Sequence, residues 1–123
     1  MKSEHSSILV IDDEQQTLNL IRLALLAAGY GEALLCHDSH QALKMVKENK
    51  PKLILLDVNM PGISGPEILD QLSSKYPQIA VVMVSGVNDL EIAVDCMRQG
   101  AMDYVLKPFK EERLLSTIER TLE

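Results

Sequence analysis

The chain has 123 residues, enough for one domain with a single core, and its hydrophobic content of 46% is ordinary for a globular protein. The net charge of −6 argues against a nucleic-acid-binding surface, which needs clustered Lys and Arg. No apolar run approaches the roughly 18 residues of a membrane span, and Ile8–Ile11 is too short for a signal-peptide core. Composition therefore predicts a cytoplasmic protein that by itself binds neither nucleic acid nor membrane.

Five short apolar runs, taken in chain order, have the length and composition of strands. They are Ile8–Ile11, Ala33–Cys36, Leu53–Leu56, Ile79–Val84 and Asp103–Leu106. Apolar residues at helical spacing follow each run, so five strands alternate with five helices. Strict alternation with short connections predicts an α/β fold, a doubly wound parallel sheet with helices on both faces. Residues 1–6 are assigned to a flexible N-terminal tail and residues 7–123 to the single domain.

Polar residues and prolines mark several predicted helix starts. Asp38 with Gln41, and Asn88 with Glu91, resemble capping boxes for the second and fourth helices. Pro66 suits the first position of the third helix, where its missing N–H costs nothing.

Two cysteines, Cys36 and Cys96, lie within apolar stretches and lack the spacing of metal ligands. Thiols of cytosolic proteins stay reduced. Both are therefore expected to be free thiols in or near the core.

The third strand runs straight into Asp57, and the turn residues Asn59, Pro61 and Gly62 follow at once. A continuously apolar strand is buried on both faces of a parallel sheet, so Asp57 falls at the carboxyl edge, where open α/β folds bind ligands. Asp also satisfies local amides at turns. From this stretch alone, Asp57 is as well explained as a turn residue as it is as a functional carboxylate.

Four of the five predicted strands end in residues with chemistry, which are Asp12 with Asp13, Asp57, Ser85 and Lys107. Each has an ordinary alternative, since acids start helices, Ser before Gly forms turns, and Lys before Pro is usually solvated. The carboxyl ends of parallel strands, however, share one edge, so these groups can converge.

Crowded carboxylates repel one another, and a divalent cation such as Mg²⁺ relieves that repulsion while completing its shell with phosphate oxygens. Lys107 then suits a phosphoryl group and Ser85 offers it a hydroxyl donor. Asp57 can attack phosphorus to form an acyl phosphate, while Asp12 and Asp13 hold the metal.

Taken together, Asp12–Asp13, Asp57 with its Asn-Met-Pro-Gly turn, Ser85–Gly86 and Lys107–Pro108 resemble the receiver domain of two-component response regulators. The likeness runs from Ile8 to about Leu122. It implies a flavodoxin-like sheet with strand order 2-1-3-4-5. It also implies that Asp57 is the phosphoacceptor.

The resemblance assigns roles to the remaining site residues. Asp13 matches the direct metal ligand, Asp12 its acidic neighbour, and Asn59 the position whose backbone carbonyl binds metal. Ser85, Lys107 and Tyr104 match the phosphoryl-binding and switch positions, and the Lys107–Pro108 bond is expected to be cis. Tyr104 has an alternative as a half-buried strand residue with a solvated hydroxyl. Val87 is apolar where some relatives carry a polar group that positions the hydrolytic water, which predicts a persistent phosphoryl group.

The resemblance further implies a signalling role rather than turnover of an external substrate. The expected donor is a sensor histidine kinase or a histidine phosphotransfer domain, with Mg²⁺ as cofactor and Mn²⁺ as a substitute. The expected domain hydrolyses its own acyl phosphate and switches a surface formed by the fourth helix, fifth strand and fifth helix. An effector domain C-terminal to this segment and a phosphorylation-dependent homodimer are both compatible with it.

Two other functions use related chemistry. A haloacid-dehalogenase-like phosphatase also forms an aspartyl phosphate, but its nucleophile usually lies on the first strand, in an Asp-x-Asp motif. A flavodoxin-like FMN carrier needs a Ser/Thr/Gly-rich phosphate loop after the first strand, where Asp12, Asp13 and Glu14 instead repel a phosphate lacking metal.

Overall fold

The computed structural model describes residues 7–123, so the tail predicted at residues 1–6 lies outside the described part of the chain. Its strands are β1 (Ile8–Ile11), β2 (Leu34–Cys36), β3 (Leu53–Leu56), β4 (Ala80–Ser85) and β5 (Asp103–Leu106). Its helices are α1 (Gln15–Ala27), α2 (Ser39–Asn49), α3 (Gly65–Lys75), α4 (Leu90–Gln99) and α5 (Glu111–Leu122).

All five strands form one sheet in the order β2-β1-β3-β4-β5, and every neighbouring pair is parallel. The predicted α/β class and strand order are confirmed. At the centre of the sheet, Leu55 of β3 lies between Val10 of β1 and Val82 of β4. The strand that precedes Asp57 is therefore flanked on both sides.

Successive residues of β3 point to opposite faces of the sheet and enter two separate cores. Leu53 and Leu55 pack with buried residues of α1 and α5, whereas Ile54 and Leu56 pack with residues of α2, α3 and α4. All four are at most 1% exposed. Burying each contributes about 1.5 to 3 kcal/mol relative to exposure, which explains why the run contains no polar residue before Asp57.

Two of the predicted helix caps differ from the structure. The fourth helix is capped by Asp89, not by Asn88, because the Asp89 Oδ1 accepts hydrogen bonds from two first-turn N–H groups. Asp38 does cap α2, but its side chain accepts from the N–H of His40, and no capping box with Gln41 forms in the described chain.

α3 begins with a capping box that was not predicted from the sequence. The Ser64 hydroxyl accepts from the N–H of Glu67, and the Glu67 carboxylate accepts from the N–H of Ser64. The helix begins at Gly65, so Pro66 occupies the second helical position rather than the first.

Cys36 and Cys96 are both free and buried, as their apolar surroundings predicted. Among residues 7–123 the longest helix has 13 residues, and none is long and apolar enough to cross a bilayer.

Candidate functional site

The backbone ladder of the sheet continues one residue past three of its strands. The N–H of Asp12 donates to the Cys36 carbonyl at 3.0 Å, and the N–H of Asp57 donates to the Ile11 carbonyl at 3.0 Å. At the other side, the N–H of Lys107 donates to the Ser85 carbonyl at 2.8 Å. These bonds fix Asp12, Asp57 and Lys107 at one edge of the sheet before any side chain interacts.

Three carboxylates meet at this edge. Asp12 and Asp57 are buried, at 2% and 6% exposure, whereas Asp13 is exposed. One oxygen from each of the three lies within 4.8 Å of the others. Hard carboxylate oxygens with one solvent-facing member match the ligand chemistry of Mg²⁺, which keeps several waters. This donor set fits a divalent cation.

Lys107 is the cation that faces these acids. Its Nζ donates to Asp12 Oδ2 at 2.8 Å and to Glu14 Oε1 at 3.2 Å, and it lies 3.6 Å from Asp57 Oδ2. Only 15% of the lysine side chain is exposed, so these interactions are weakly screened by solvent. The ammonium therefore contacts acids that follow two different strands.

The charges of these neighbours shift one another's protonation. Burial raises the pKa of Asp57, and the Asp12 carboxylate raises that pKa further, while Lys107 offsets part of the increase. Burial alone would lower the pKa of Lys107, but its hydrogen bond to Asp12 and the charge of Asp57 outweigh burial and raise that pKa. The pKa of Glu14 is lowered, chiefly because Lys107 donates a hydrogen bond to it. The site thus joins a firmly charged ammonium to mutually repelling acids.

Ser85, Val87 and Tyr104 form a second group beside the acids. The N–H of Val87 donates to the fully buried Ser85 Oγ at 3.1 Å. The Tyr104 hydroxyl donates to the Val87 carbonyl at 2.7 Å, and burial raises the pKa of that hydroxyl. The Tyr104 hydroxyl is therefore bonded to protein rather than only to solvent, and the backbone of residue 87 is held on both sides.

The loop after Asp57 borders the same cleft. The cleft has a volume of about 670 Å³, and its lining includes Asp13, Asp57, Asn59 and Lys107. Asn59 is exposed, and the Asp57 Oδ1 accepts from the N–H of Val58 at 2.8 Å. The Lys107–Pro108 peptide bond is cis.

Two residues that shape the site were not among the sequence candidates for binding. Glu14 binds Lys107, and the run of three acids that contains it was the available signal. Gly65 approaches the Asp57 carbonyl so closely that a Cβ there would overlap that oxygen. No local pattern signals such a contact, because it depends on how α3 packs against the end of β3.

Comparison with known protein families matches residues 8–119 to the response regulator receiver domain. The chain belongs to the response regulator receiver domain family. Members of this family are typically phosphorylated on an Asp and typically use Mg²⁺, and the group of Asp12, Asp13 and Asp57 is one that could hold a metal ion.

Individual relatives cover the receiver domain almost completely. Nitrogen assimilation regulatory protein NtrX of Azorhizobium caulinodans is 37% identical over 118 residues, which are 94% of this chain and 26% of that protein. The crystal structure of the receiver domain of NtrX from Brucella abortus has a TM-score of 0.87 and 37% identity, covering 94% of this chain and 97% of that one.

A CheY-like receiver domain protein from Methanospirillum hungatei JF-1 has a TM-score of 0.88 and 29% identity, covering 94% of this chain and 91% of that one. The receiver domain described here spans about a quarter of the length of the curated relatives it matches.

Proposed function

We propose that Asp57 accepts a phosphoryl group from a phosphohistidine of a sensor kinase or a histidine phosphotransfer domain. One observation carries this proposal. The Asp57 carboxylate lies in an open cleft at the carboxyl edge of the sheet, with a carboxylate neighbour in Asp12 and the Lys107 ammonium 3.6 Å away. This arrangement provides a nucleophile, a group to bind the phosphoryl oxygens and donors for a metal.

In the proposed transfer, an ionised Asp57 oxygen forms a bond to phosphorus as the N–P bond of the phosphohistidine breaks. The imidazole leaves with the electron pair of that bond and takes up a proton from solvent. Lys107 binds a phosphoryl oxygen as a point charge, and Ser85 donates its hydroxyl to another. The product is an acyl phosphate on Asp57.

The proposed metal ligands are the carboxylates of Asp13 and Asp57, Asp12 directly or through water, and the backbone carbonyl of Asn59. A bound Mg²⁺, or Mn²⁺ in its place, would supply positive charge that offsets the phosphoryl oxygens and the crowded acids. The exposure of Asp13 and Asn59 beside buried Asp57 supports this assignment, because it leaves room for the waters that Mg²⁺ retains.

The proposed output is a population shift in the surface made by α4, β5 and α5. The phosphoryl group adds about −1.5 to −2 charge beside Ser85 and Lys107. The contacts that support this coupling run from Ser85 to Val87 and from Val87 to Tyr104 on β5. The domain then hydrolyses its own acyl phosphate, with Val87 at the position that sets the lifetime.

The length of the relatives supports an effector domain joined to this receiver in the whole protein. Family membership supports a cytoplasmic location and a sensor kinase as partner. Dimerisation on phosphorylation belongs to the same proposal.

The test is incubation with acetyl phosphate and Mg²⁺, followed by intact mass measurement. Wild type should gain the mass of one phosphoryl group, and Asp57→Asn should gain none. Asp70→Asn is the matched control, because Asp70 is an exposed acid on α3 outside the site. An unmodified wild type, or an equal adduct on Asp57→Asn, would refute the proposal.

A further inference from the structure

Ser39, the first residue of α2, has a buried hydroxyl that does not cap α2. Ser39 is only 3% exposed. The side chain that caps α2 is that of Asp38, which accepts a hydrogen bond from the first-turn N–H of His40 at 3.0 Å. A buried hydroxyl needs a partner, because an unpaired polar group loses its hydration without compensation. Its partners lie in another part of the chain.

Both partners are backbone groups of the loop between β3 and α3. The Ser39 Oγ donates to the Pro61 carbonyl at 2.7 Å and accepts from the N–H of Ile63 at 2.9 Å. In the described part of the chain, these are the hydrogen bonds that residues 59–63 form. One side chain therefore ties the loop to α2.

Gly62 completes the contact from the loop side. A Cβ built on Gly62 would lie 2.8 Å from Ser39 Oγ and would overlap the His40 imidazole. The loop thus packs closely against the side chains of the first turn of α2, at a residue whose φ of +88° favours glycine.

We propose that Ser39 is a positioning residue for the metal site, acting through the loop that carries Asn59. The proposal rests on the proposed function, in which the Asn59 carbonyl binds Mg²⁺. Pro61, which Ser39 holds, is two residues from Asn59, so the tether limits where that carbonyl can lie. A loop fixed before metal binding loses less conformational freedom when the ion arrives.

The test compares Mg²⁺ dissociation constants, measured by titration calorimetry, for wild type and Ser39→Ala. Ala favours a helix more than Ser does, so the substitution does not oppose formation of α2. We expect Ser39→Ala to bind Mg²⁺ about tenfold more weakly, the loss typical for residues that orient a metal ligand. Amide hydrogen exchange at Ile63 should become faster, because its acceptor is gone.

Ser73→Ala is the matched control. The Ser73 hydroxyl also joins a helix to a distant backbone carbonyl, that of Gln99 at 2.5 Å, but it lies near the carboxyl ends of α3 and α4. Those helix ends lie at the sheet edge opposite the site, because each helix runs antiparallel to the strands it connects. The Mg²⁺ affinity of Ser73→Ala should therefore match that of wild type.

Gly62→Ala perturbs the same contact at an exposed residue, and so provides a variant that does not depend on changing buried Ser39. It too should weaken Mg²⁺ binding. Wild-type affinity in both Ser39→Ala and Gly62→Ala, or an equal loss in Ser73→Ala, would overturn the inference while leaving the proposed function standing. A wild type that fails to bind Mg²⁺ would overturn the proposed metal site as well.

Discussion

The surroundings of Asp57 disfavour its ionised form. Burial and the Asp12 carboxylate raise its pKa in the folded protein, so folding favours the protonated form relative to the unfolded chain. The resulting cost is absent below the unfolded pKa of about 3.9, grows as pH rises through the folded pKa, and is complete above it. The metal-free domain is therefore less stable at neutral pH than it would be without this charge.

We predict that Asp57→Asn stabilises the metal-free domain at pH 7 by about 1 kcal/mol, the usual size of a single-residue effect. The gain should disappear near pH 3, where wild-type Asp57 is protonated in both states. Urea denaturation in the presence of a chelator measures both values. Asp70→Asn should show no comparable gain, and a destabilised Asp57→Asn at pH 7 would contradict this account of the charge.

The backbone and the side chain of Val87 have different roles in the site. Its N–H and carbonyl hold Ser85 and Tyr104, while its half-buried side chain lines the cleft. A side-chain substitution can therefore change access of water to the site and leave those two hydrogen bonds in place.

We predict that Val87→Glu shortens the lifetime of the phosphorylated domain several-fold, because a carboxylate can orient the attacking water. Decay of the phosphoryl adduct, followed by intact mass after the donor is removed, measures the rate. Val87→Leu keeps an apolar side chain and should decay like wild type. Identical decay in Val87→Glu and wild type would show that this position does not control hydrolysis.

Among the elements, β5 is tied to α5 through Asp103. Its carboxylate accepts hydrogen bonds from the Tyr104 N–H at 2.7 Å, from Thr117 Oγ1 at 3.1 Å and from Arg113 Nη1 at 3.2 Å. Burial alone would raise the pKa of Asp103, but these donors and the charge of Arg113 outweigh burial and lower it. Because the folded pKa is depressed, the stabilisation is present above the unfolded pKa of about 3.9 and is lost as pH falls through the folded pKa.

We predict that Asp103→Asn lowers the free energy of unfolding by about 1.5 to 3 kcal/mol at pH 7, the range for hydrogen bonds to a charged group. Denaturation at pH 7 and pH 3 should show that the difference between variant and wild type shrinks on acidification. Asp95→Asn, a change at an exposed acid of α4, provides the comparison. An equal loss at both pH values would assign the effect to packing instead of charge.

Sequence periodicity predicted all five strands and all five helices, since apolar runs and stripes report directly on burial. Details at their ends were less predictable. Asn88 and Asp89 are both good N-cap residues, and the sequence alone does not show which of them adopts the extended backbone conformation that Asp89 has. The Ser64–Glu67 box, in contrast, was present in the sequence as a standard pattern and could have been recognised.

The composition of the site was predictable because the carboxyl ends of parallel strands meet at one edge. The pairing within it was not, since the contact of Lys107 with Asp12 joins residues 95 positions apart through a long side chain. Ser39 was missed for the same reason, as its partners lie 22 and 24 residues away and it resembles an ordinary helix-start residue.

At the scale of the whole molecule, one sheet separates two cores, and β3 contributes to both. A ligand that binds at the end of β3 therefore stabilises the folded domain as a unit. Binding to the folded state alone adds about 2.7 kcal/mol when the ligand is present at 100 times its dissociation constant.

We predict that Mg²⁺ at that concentration raises the free energy of unfolding by about this amount, and that chelation reverses the gain. Asp13→Asn should lose most of the response, and because Asp13 is exposed, its metal-free stability should resemble that of wild type. Thermal denaturation over a series of Mg²⁺ concentrations measures the effect. An undiminished response in Asp13→Asn would place the ion elsewhere.

The ion pair between Lys107 and Asp12 also connects two strands that are not neighbours in the sheet. Lys107 follows β5 at the margin of the sheet, and Asp12 follows β1, three strands away. With neighbouring strands about 4.8 Å apart, their backbones are separated by about 14 Å, and one ion pair bridges that gap. The ion pair therefore spans the carboxyl ends of four strands, β1, β3, β4 and β5. Any event that draws the ammonium away from Asp12 removes this link between the ends of β1 and β5, so one nitrogen atom both joins the two strand ends and offsets part of the increase in the Asp57 pKa.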